Sequence, residues 1–223
     1  SLASDGTYLY GKSWNSYDGN DNTISKLGSG YGGTTEGIDY GDVANVEGSL
    51  SLTYIKGGYL LNGYTTNGLN LQRINISTGN VDYFILNSRL LDRGDGSEIT
   101  SPTGNILITS NENYIFVLSY RYISGVYTVF KYKIYNLNGD FIKEVNTNCN
   151  SYYTDGIFAD TTYLYAIKWG GSITRMRIHD GYCDEVWWFD NGERINGQFD
   201  WVNNKVWIGG LYGNYIYKYD GWH

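Results

Sequence analysis

Ile173-Thr174-Arg175-Met176 has a form that recurs along the chain: an apolar residue, any residue, a Lys or Arg, and a second apolar residue. The other four segments of this form are Ile24-Ser25-Lys26-Leu27, Leu71-Gln72-Arg73-Ile74, Val129-Phe130-Lys131-Tyr132 and Ile216-Tyr217-Lys218-Tyr219. Successive side chains of a β-strand point to opposite faces, so a recurring pattern predicts a recurring strand in a recurring environment.

A second strand is predicted upstream of each basic segment, and a short polar turn precedes it. These strands open with Tyr8-Leu9-Tyr10, Tyr59-Leu60-Leu61, Tyr114-Ile115-Phe116, Tyr163-Leu164-Tyr165 and Val206-Trp207-Ile208. The turns are rich in Gly, Asn and Asp, which tolerate the backbone conformations of tight hairpins. Innermost strands are predicted at 1–4, 49–55, 105–110, 155–159 and 197–201, and outer strands near 34–40, 81–86, 141–146 and 182–189.

Composition agrees with an all-β class, since the chain contains 24 Tyr and 30 Gly but a single Pro. Four antiparallel strands at a period of about 45 residues are typical of β-propeller blades. Across essentially its whole length the chain resembles β-propeller repeat proteins, although it lacks the signatures of the WD and kelch types. The resemblance implies one domain over residues 1–223, a five-bladed β-propeller of four-stranded antiparallel blades, and it implies no function. The repeat units are approximately 1–47, 48–104, 105–154, 155–196 and 197–223, and the last blade is incomplete because it lacks an outer strand.

Charge and hydropathy exclude two classes of partner. The formal net charge is −7 and only 16 basic residues are scattered along the chain, whereas nucleic-acid binding needs a clustered basic surface. No apolar stretch approaches the roughly 18 residues of a membrane-spanning helix. We therefore expect neither nucleic-acid binding nor membrane insertion.

Alignment of the five units places an aromatic residue five or six positions after the start of every second strand. We call this set the aromatic rim; it consists of Trp14, Tyr64, Tyr120, Trp169 and Tyr212. In a propeller these positions would encircle the mouth of the channel on one face. Trp and Tyr rings stack on sugars and anchor protein partners, but the same rings could instead fill the packing between blades.

Catalysis has weaker support in the sequence. The only histidines are His179 and His223, which leaves no plausible Ser-His-Asp or Cys-His arrangement. Glycoside hydrolysis needs only two carboxyl groups across a cleft, and Glu98 and Asp155 are the candidates for such a pair.

A metal site is conceivable at one loop. Asp18, Asn20 and Asn22 bring oxygen-bearing side chains together in Asp18-Gly19-Asn20-Asp21-Asn22, which suits Ca²⁺ but also suits an ordinary polar hairpin tip. No other cofactor is expected.

The two cysteines, Cys149 and Cys183, invite a disulfide. Cys149 follows one predicted outer strand and Cys183 begins the next, which would place them near opposite faces of the domain. A disulfide needs Cα atoms within about 7 Å, so the sequence favours free or buried thiols.

The leading hypothesis is a non-catalytic module that recognises a glycan or a protein surface, located outside the cell or on a particle surface. The alternatives are a structural or assembly domain of a larger extracellular or virion component, and a glycoside hydrolase or lyase that uses carboxylates at the channel mouth.

Overall fold

A computed structural model describes residues 2–12, 23–27, 39–45, 51–65, 69–88, 105–120, 122–123, 126–127, 131–148, 154–168, 172–188, 195–200, 205–210 and 216–220. All regular structure in these ranges is β-strand. The paired strands within them are antiparallel. The all-β class and the antiparallel pairing predicted from the sequence are confirmed.

The described strands form five consecutive sheets and one short hairpin. Sheet 1 consists of β1 (Leu2–Ser4), β2 (Leu9–Lys12), β3 (Thr23–Leu27) and β4 (Asp39–Asn45). Sheet 2 consists of β5 (Ser51–Ile55), β6 (Tyr59–Thr65), β7 (Leu69–Asn75) and β8 (Val81–Ser88). Sheet 3 and the hairpin comprise β9 (Asn105–Ser110), β10 (Tyr114–Tyr120), β11 (Tyr122–Ile123), β12 (Val126–Tyr127), β13 (Lys131–Asn136) and β14 (Phe141–Asn146). Sheet 4 consists of β15 (Thr154–Ala159), β16 (Tyr163–Lys168), β17 (Ser172–Arg177) and β18 (Cys183–Trp188), and sheet 5 of β19 (Ile195–Asp200), β20 (Lys205–Gly210) and β21 (Ile216–Asp220).

Strand order within each sheet follows the chain, apart from the hairpin of β11 and β12, which pair only with each other. Strands β9 and β14 have the predicted bounds. The outer strand predicted near 34–40 overlaps β4 (Asp39–Asn45) at residues 39 and 40, and residues 34–38 lie outside the described part of the chain.

One basic residue of the sequence repeat was also misaligned. Lys26, Arg73 and Arg175 lie opposite Tyr10, Leu61 and Tyr165, in the second strands of sheets 1, 2 and 4. The corresponding position of sheet 3, opposite Phe116, is Ile134, whereas Lys131 lies opposite Ser119. The β11–β12 hairpin lengthens the connection before β13, so the apparent repeat at Lys131 is out of register.

The first strands of successive sheets lie side by side. Strand β1 contacts β5, β5 contacts β9, β9 contacts β15, β15 contacts β19, and β19 contacts β1. Between β5 and β9 the alignment is visible in hydrogen bonds: Ser51 Oγ accepts from the N–H of Ile108 at 2.8 Å and lies 3.0 Å from the Ile108 carbonyl. Two residues further along both strands, Thr53 Oγ1 and Ser110 Oγ are 3.0 Å apart. The two strands therefore run in the same direction.

Hydrophobic clusters fill the spaces between neighbouring sheets. Leu60 of β6 packs in a cluster with Tyr10 and Ile24 of sheet 1, whereas the adjacent Leu61 packs with Ile108 of sheet 3. A third cluster joins sheets 3 and 4 and includes Leu107, Phe116, Leu118, Tyr132, Ile157, Leu164, Ala166 and Met176. Because both faces of a sheet are buried, consecutive residues can both be apolar, as in Leu60-Leu61.

The fourth strands of sheets 1 to 4 all pair with the third strand through a register shift. In sheet 3 the end of β14 lies close to the turn between β17 and β18 of sheet 4. Gly181 (φ +74°) in that turn lies so close to the chain that a Cβ would overlap the carbonyl of Asn146.

The prediction of free thiols was wrong, because Cys183 is disulfide-bonded. The sequence contains only one other cysteine, Cys149, so the bond joins these two; Cys149 itself lies outside the described residues. The neighbouring residues explain the proximity, since the N–H of Cys183 donates to Asn148 Oδ1 at 2.8 Å and Thr147 Oγ1 lies 3.9 Å from Cys183 Sγ. The end of β14 therefore lies beside the start of β18, although the two cysteines were expected near opposite faces of the domain.

Candidate functional site

The turns between first and second strands are built by an Asp or Asn side chain in three sheets. In sheet 1, Asp5 Oδ1 accepts hydrogen bonds from the N–H groups of Thr7 at 2.8 Å and Tyr8 at 2.7 Å. Such side-chain turns tie the backbone in the manner of a β-turn. The corresponding bonds run from Asn113 and Tyr114 to Asn111 in sheet 3, and from Thr162 and Tyr163 to Asp160 in sheet 4. In sheet 2 the place of the turn is taken by two glycines, Gly57 (φ +104°) and Gly58 (φ +85°).

The second carboxylate oxygen of these turns binds a buried phenol. Tyr10 Oη donates to Asp5 Oδ2 at 2.7 Å, and Tyr165 Oη donates to Asp160 Oδ2 at 2.6 Å. Burial raises the pKa of Tyr10 far above its usual value, and the hydrogen bond to Asp5 raises it further. Sheet 3 has neither member of this pair. Asn111 stands at the position of the Asp, and Phe116 stands at the position of the Tyr.

In sheets 1, 2 and 4 the basic residue of the repeat lies over the tyrosine at the start of the second strand. The distances to the ring centroid are 3.6 Å from Lys26 Nζ to Tyr8, 5.0 Å from Arg73 Cζ to Tyr59, and 4.2 Å from Arg175 Cζ to Tyr163. A cation over an aromatic face contributes about 0.5–1 kcal/mol at exposed sites. The Tyr and the Lys or Arg that recur in sheets 1, 2 and 4 therefore have a structural role within each sheet.

Contacts between sheets place these turns on one side of the molecule. Asn111 Nδ2 of sheet 3 donates to the carbonyl of Asp160 in sheet 4 at 2.6 Å. Tyr54, beside the Gly57-Gly58 turn of sheet 2, has a raised pKa chiefly because of burial, and the Asp5 carboxylate of sheet 1 adds to the effect. Ser110 Oγ at the end of β9 donates to the carbonyl of Tyr54 in β5, which joins sheets 2 and 3 beside the same turns. The turns of sheets 1 to 4 thus neighbour one another.

In the sequence, the aromatic-rim residues come at the end of the second strands or shortly after them. Tyr64 is the next-to-last residue of β6 and Tyr120 is the last residue of β10. Trp169 directly follows β16, and Trp14 and Tyr212 are two residues beyond β2 and β20. These three residues lie outside the described part of the chain, as do the side chains of Tyr64 and Tyr120.

The candidate catalytic and metal-binding residues are almost all outside the described ranges. Asp155 is the second residue of β15, where the backbone alone is described. Glu98, Asp18, Asn20 and Asn22 fall in undescribed segments. The residues that are described contain no group of three His, Cys, Asp or Glu side chains able to hold a metal ion. They also contain no helix able to cross a membrane.

An exposed polar cluster lies in the β17–β18 turn, at the junction of sheets 3 and 4. Asp180 Oδ2 lies 2.9 Å from Arg177 Nη2 and 3.1 Å from His179 Nε2. The N–H of Tyr182, followed by the Arg177 and His179 charges, lowers the pKa of Asp180. Lys143 Nζ of β14 donates to the His179 carbonyl at 2.9 Å, which ties the cluster to sheet 3.

Three exposed aromatic residues on or beside the outer strands were not among the site residues predicted from the sequence. Tyr83 of β8 is 58% exposed, Phe141 of β14 is 57% exposed, and Tyr182 is 51% exposed. In the sequence, only their predicted positions on outer strands indicate exposure, because an outer strand leaves one face or edge open to solvent.

No protein-family model matches the chain, and no curated protein matches it. Among solved structures, the chain is similar to the crystal structure of the computationally designed Ika8 protein, with 13% sequence identity and a TM-score of 0.47. The alignment covers 98% of this chain and 57% of that chain, so this protein spans little more than half the length of the designed one. Similarity at this level carries no argument about function.

Proposed function

We propose that the chain is a five-bladed β-propeller that acts as a non-catalytic recognition module, binding a glycan or a protein surface through the aromatic rim. The observation that carries the proposal is the position of the rim residues, each at the end of a second strand or within two residues of it. Because the turns at the other ends of these strands neighbour one another in sheets 1 to 4, the rim positions would share one face.

The propeller has its support in the contacts between sheets. Each first strand contacts the first strand of the next sheet, and β19 contacts β1. The parallel alignment of Ser51 with Ile108 and of Thr53 with Ser110 is what radially packed blades would have. Buried clusters between consecutive sheets fit the same arrangement.

Glycan or protein recognition is favoured because Trp and Tyr combine a flat apolar face with a polar edge. The rim offers two Trp and three Tyr, and Gly170, Gly171, Gly209 and Gly210 beside it carry no side chains that would cover the rings. The disulfide of Cys183 supports an oxidising compartment, and hence a location outside the cell or on a particle surface.

A glycan array and a panel of candidate protein surfaces test the rim directly. We expect Trp14→Ala and Trp169→Ala to weaken binding of the ligand at least tenfold, because aromatic anchors dominate such interfaces. Tyr83→Ala is the matched control, since it removes an exposed aromatic from the outer strand β8 and should leave binding unchanged. Binding that survives both Trp substitutions, or that Tyr83→Ala abolishes, would contradict the proposal.

A structural or assembly role is the second candidate. The exposed apolar side chains Tyr83, Phe141 and Ile142 on β8 and β14 would suit burial against neighbouring molecules in a larger component. In that case the control substitution Tyr83→Ala, rather than the rim substitutions, would impair association, and the two candidates are distinguished by the same set of variants.

A further inference from the structure

The turn between β7 and β8 of sheet 2 begins with the acceptor sequence of N-glycosylation. Asn75-Ile76-Ser77 has the form Asn-X-Ser in which X is not Pro, and no other Asn of the chain is followed two residues later by Ser or Thr. Ile76 is partly buried against the cluster that joins sheets 1 and 2, whereas Ser77 and Thr78 are exposed. The middle residue therefore anchors the turn, and the hydroxyl of the acceptor sequence is open to solvent.

The side chain of Asn75 is held through its oxygen. Asn75 Oδ1 accepts a hydrogen bond from Ser77 Oγ at 2.7 Å, and from the N–H groups of Ser77 at 3.0 Å and Thr78 at 3.1 Å. Within the described part of the chain, no group accepts a hydrogen bond from Asn75 Nδ2. The nitrogen that carries the sugar in an N-glycan is thus free, and the Ser77 hydroxyl already contacts the same amide group.

The corresponding turn of sheet 3 separates the structural role of the Asn from that of the hydroxyl. Asn136 and Asn75 each lie opposite the tyrosine at the start of the second strand of their sheet. Asn136 Oδ1 accepts from the N–H groups of Asn138 and Asp140, and its Nδ2 donates to Asp140 Oδ2 at 2.9 Å. An Asn can therefore build this kind of turn without a hydroxyl two residues later, so the turn alone does not account for Ser77.

The surroundings of the turn leave room for a glycan. The N–H of Ile76 donates to the carbonyl of Gly58 at 3.0 Å, so the β7–β8 turn lies beside the glycine turn of sheet 2. A Cβ added at Gly58 would meet nothing within 4 Å. Asn75 lies opposite Tyr59, which is about 17 Å along β6 from the rim position Tyr64. A glycan on Asn75 would therefore be attached far from the rim position of the same sheet.

We propose that Asn75 is an N-glycosylation site whose donor is an oligosaccharide joined through a diphosphate to a membrane lipid. Asn75 Nδ2 forms a bond to the anomeric carbon of the first sugar, and the bond from that carbon to the diphosphate oxygen breaks. The lipid diphosphate leaves, and Nδ2 loses one proton to a base of the transferase. The disulfide of Cys183 supports the compartment, because disulfides form in the lumen where this transfer takes place. The proposal rests on the location outside the cell proposed above, and it does not depend on the ligand of the aromatic rim.

Peptide mass spectrometry of the protein purified from the cells that produce it tests the site directly. Trypsin releases residues 74–89 by cleaving after Arg73 and Arg89. We expect N-glycosidase treatment in heavy-oxygen water to convert Asn75 to an Asp that carries the heavy oxygen. Asn80 and Asn87 in the same peptide should remain unlabelled. A peptide in which Asn75 carries no glycan before treatment would overturn the proposal.

Variants secreted from a eukaryotic cell line separate the acceptor sequence from the rest of the turn. We expect Asn75→Gln and Ser77→Ala to abolish the mass shift caused by the glycan, and Ser77→Thr to retain it. Thr78→Ala is the matched control, since it removes the neighbouring exposed hydroxyl of the same turn and should leave the glycan in place. A glycan that survives Ser77→Ala, or that Thr78→Ala removes, would contradict the assignment.

A thiol titration of each secreted protein distinguishes failure of the site from failure of the location. Wild-type protein that has no free thiol and no glycan would refute the site at Asn75 and leave the extracellular location standing. Wild-type protein with two free thiols would refute the oxidising compartment, and the glycosylation proposal would fall with it. Binding of a ligand at the aromatic rim is measured separately and decides neither outcome.

Discussion

Tyr165 donates a 2.6 Å hydrogen bond to the carboxylate of Asp160, the residue that also builds the turn in front of its strand. Sheet 1 repeats the relationship between Tyr10 and Asp5. One carboxylate thus holds both the turn and the buried ring, so the conformation of the turn and the packing between the sheets depend on each other.

The pair in sheet 4 should behave as a unit. Tyr165→Phe removes a hydrogen bond to a charged acceptor, and we expect it to lower the free energy of unfolding by about 1.5–3 kcal/mol. Adding Asp160→Asn should cost less than the two single changes together, because sheet 3 already combines Asn111 with Phe116. Urea unfolding of the four proteins in a double-mutant cycle measures the coupling. Additive losses would show that the two side chains act independently.

Gly181 and Gly58 form a matched pair of positions for substitution by Ala. Both have positive φ, but a Cβ at Gly181 would overlap the Asn146 carbonyl, whereas a Cβ at Gly58 meets nothing within 4 Å. We expect Gly58→Ala to cost about 1–2 kcal/mol from backbone strain alone. Gly181→Ala should cost clearly more, because sheets 3 and 4 must also move apart. Equal losses in urea unfolding would contradict the close approach at Gly181.

The disulfide between Cys149 and Cys183 should contribute substantially to stability. It closes a loop from residue 149 to residue 183, and the chain-entropy relation for a loop of this length gives about 3–4 kcal/mol. We expect Cys183→Ser, or reduction of the native protein, to lower the melting temperature by several degrees. Titration with a thiol reagent should find no free thiol before reduction and two after it. Free thiols in the untreated protein would contradict the bond.

Two buried phenols should make the protein sensitive to alkali. Burial raises the pKa of Tyr10 and Tyr132 above the ordinary value of 10.0, with Asp5 and Asp180 adding to the effect. The contribution of these two phenols to the free energy of unfolding is fully present below about pH 10. It falls as the pH rises further, because the phenols then ionise in the unfolded chain but not in the folded chain. Urea unfolding from roughly pH 8 to pH 11 measures this fall. Tyr132→Phe should make the fall shallower, although it also removes hydrogen bonds to the carbonyls of Arg177 and Ile178. An unchanged slope would contradict the role of this phenol.

The local elements of the fold were predictable because their signals are local. Alternation and turn residues located β9 and β14 at the right bounds. Lys131 was misassigned because the hairpin of β11 and β12 lengthens one connection without altering the local pattern. The disulfide was missed because it depends on the close approach of the end of β14 to the start of β18, a contact between two sheets that the pattern within each strand does not encode.

The aromatic rim could be proposed from the sequence because it depends only on the count of residues after each second strand begins. The roles of Asp5, Asp160 and the basic residues could not, since they depend on which side chains meet across a turn or a strand pair. The tyrosines at the start of the second strands indicate a strand in the sequence. In the structure, the rings of Tyr8, Tyr59 and Tyr163 also contact a neighbouring Lys or Arg.

The bond at Cys183 also determines how the chain would respond to a pulling force. A protein stretched from its two ends lengthens by about 3.6 Å for every residue released, but residues enclosed by a disulfide are not released. Residues 150–182 would stay shielded while the remaining chain extends, which withholds on the order of 120 Å of contour length. The turn at Gly181 and the whole of β15, β16 and β17 lie within this shielded segment.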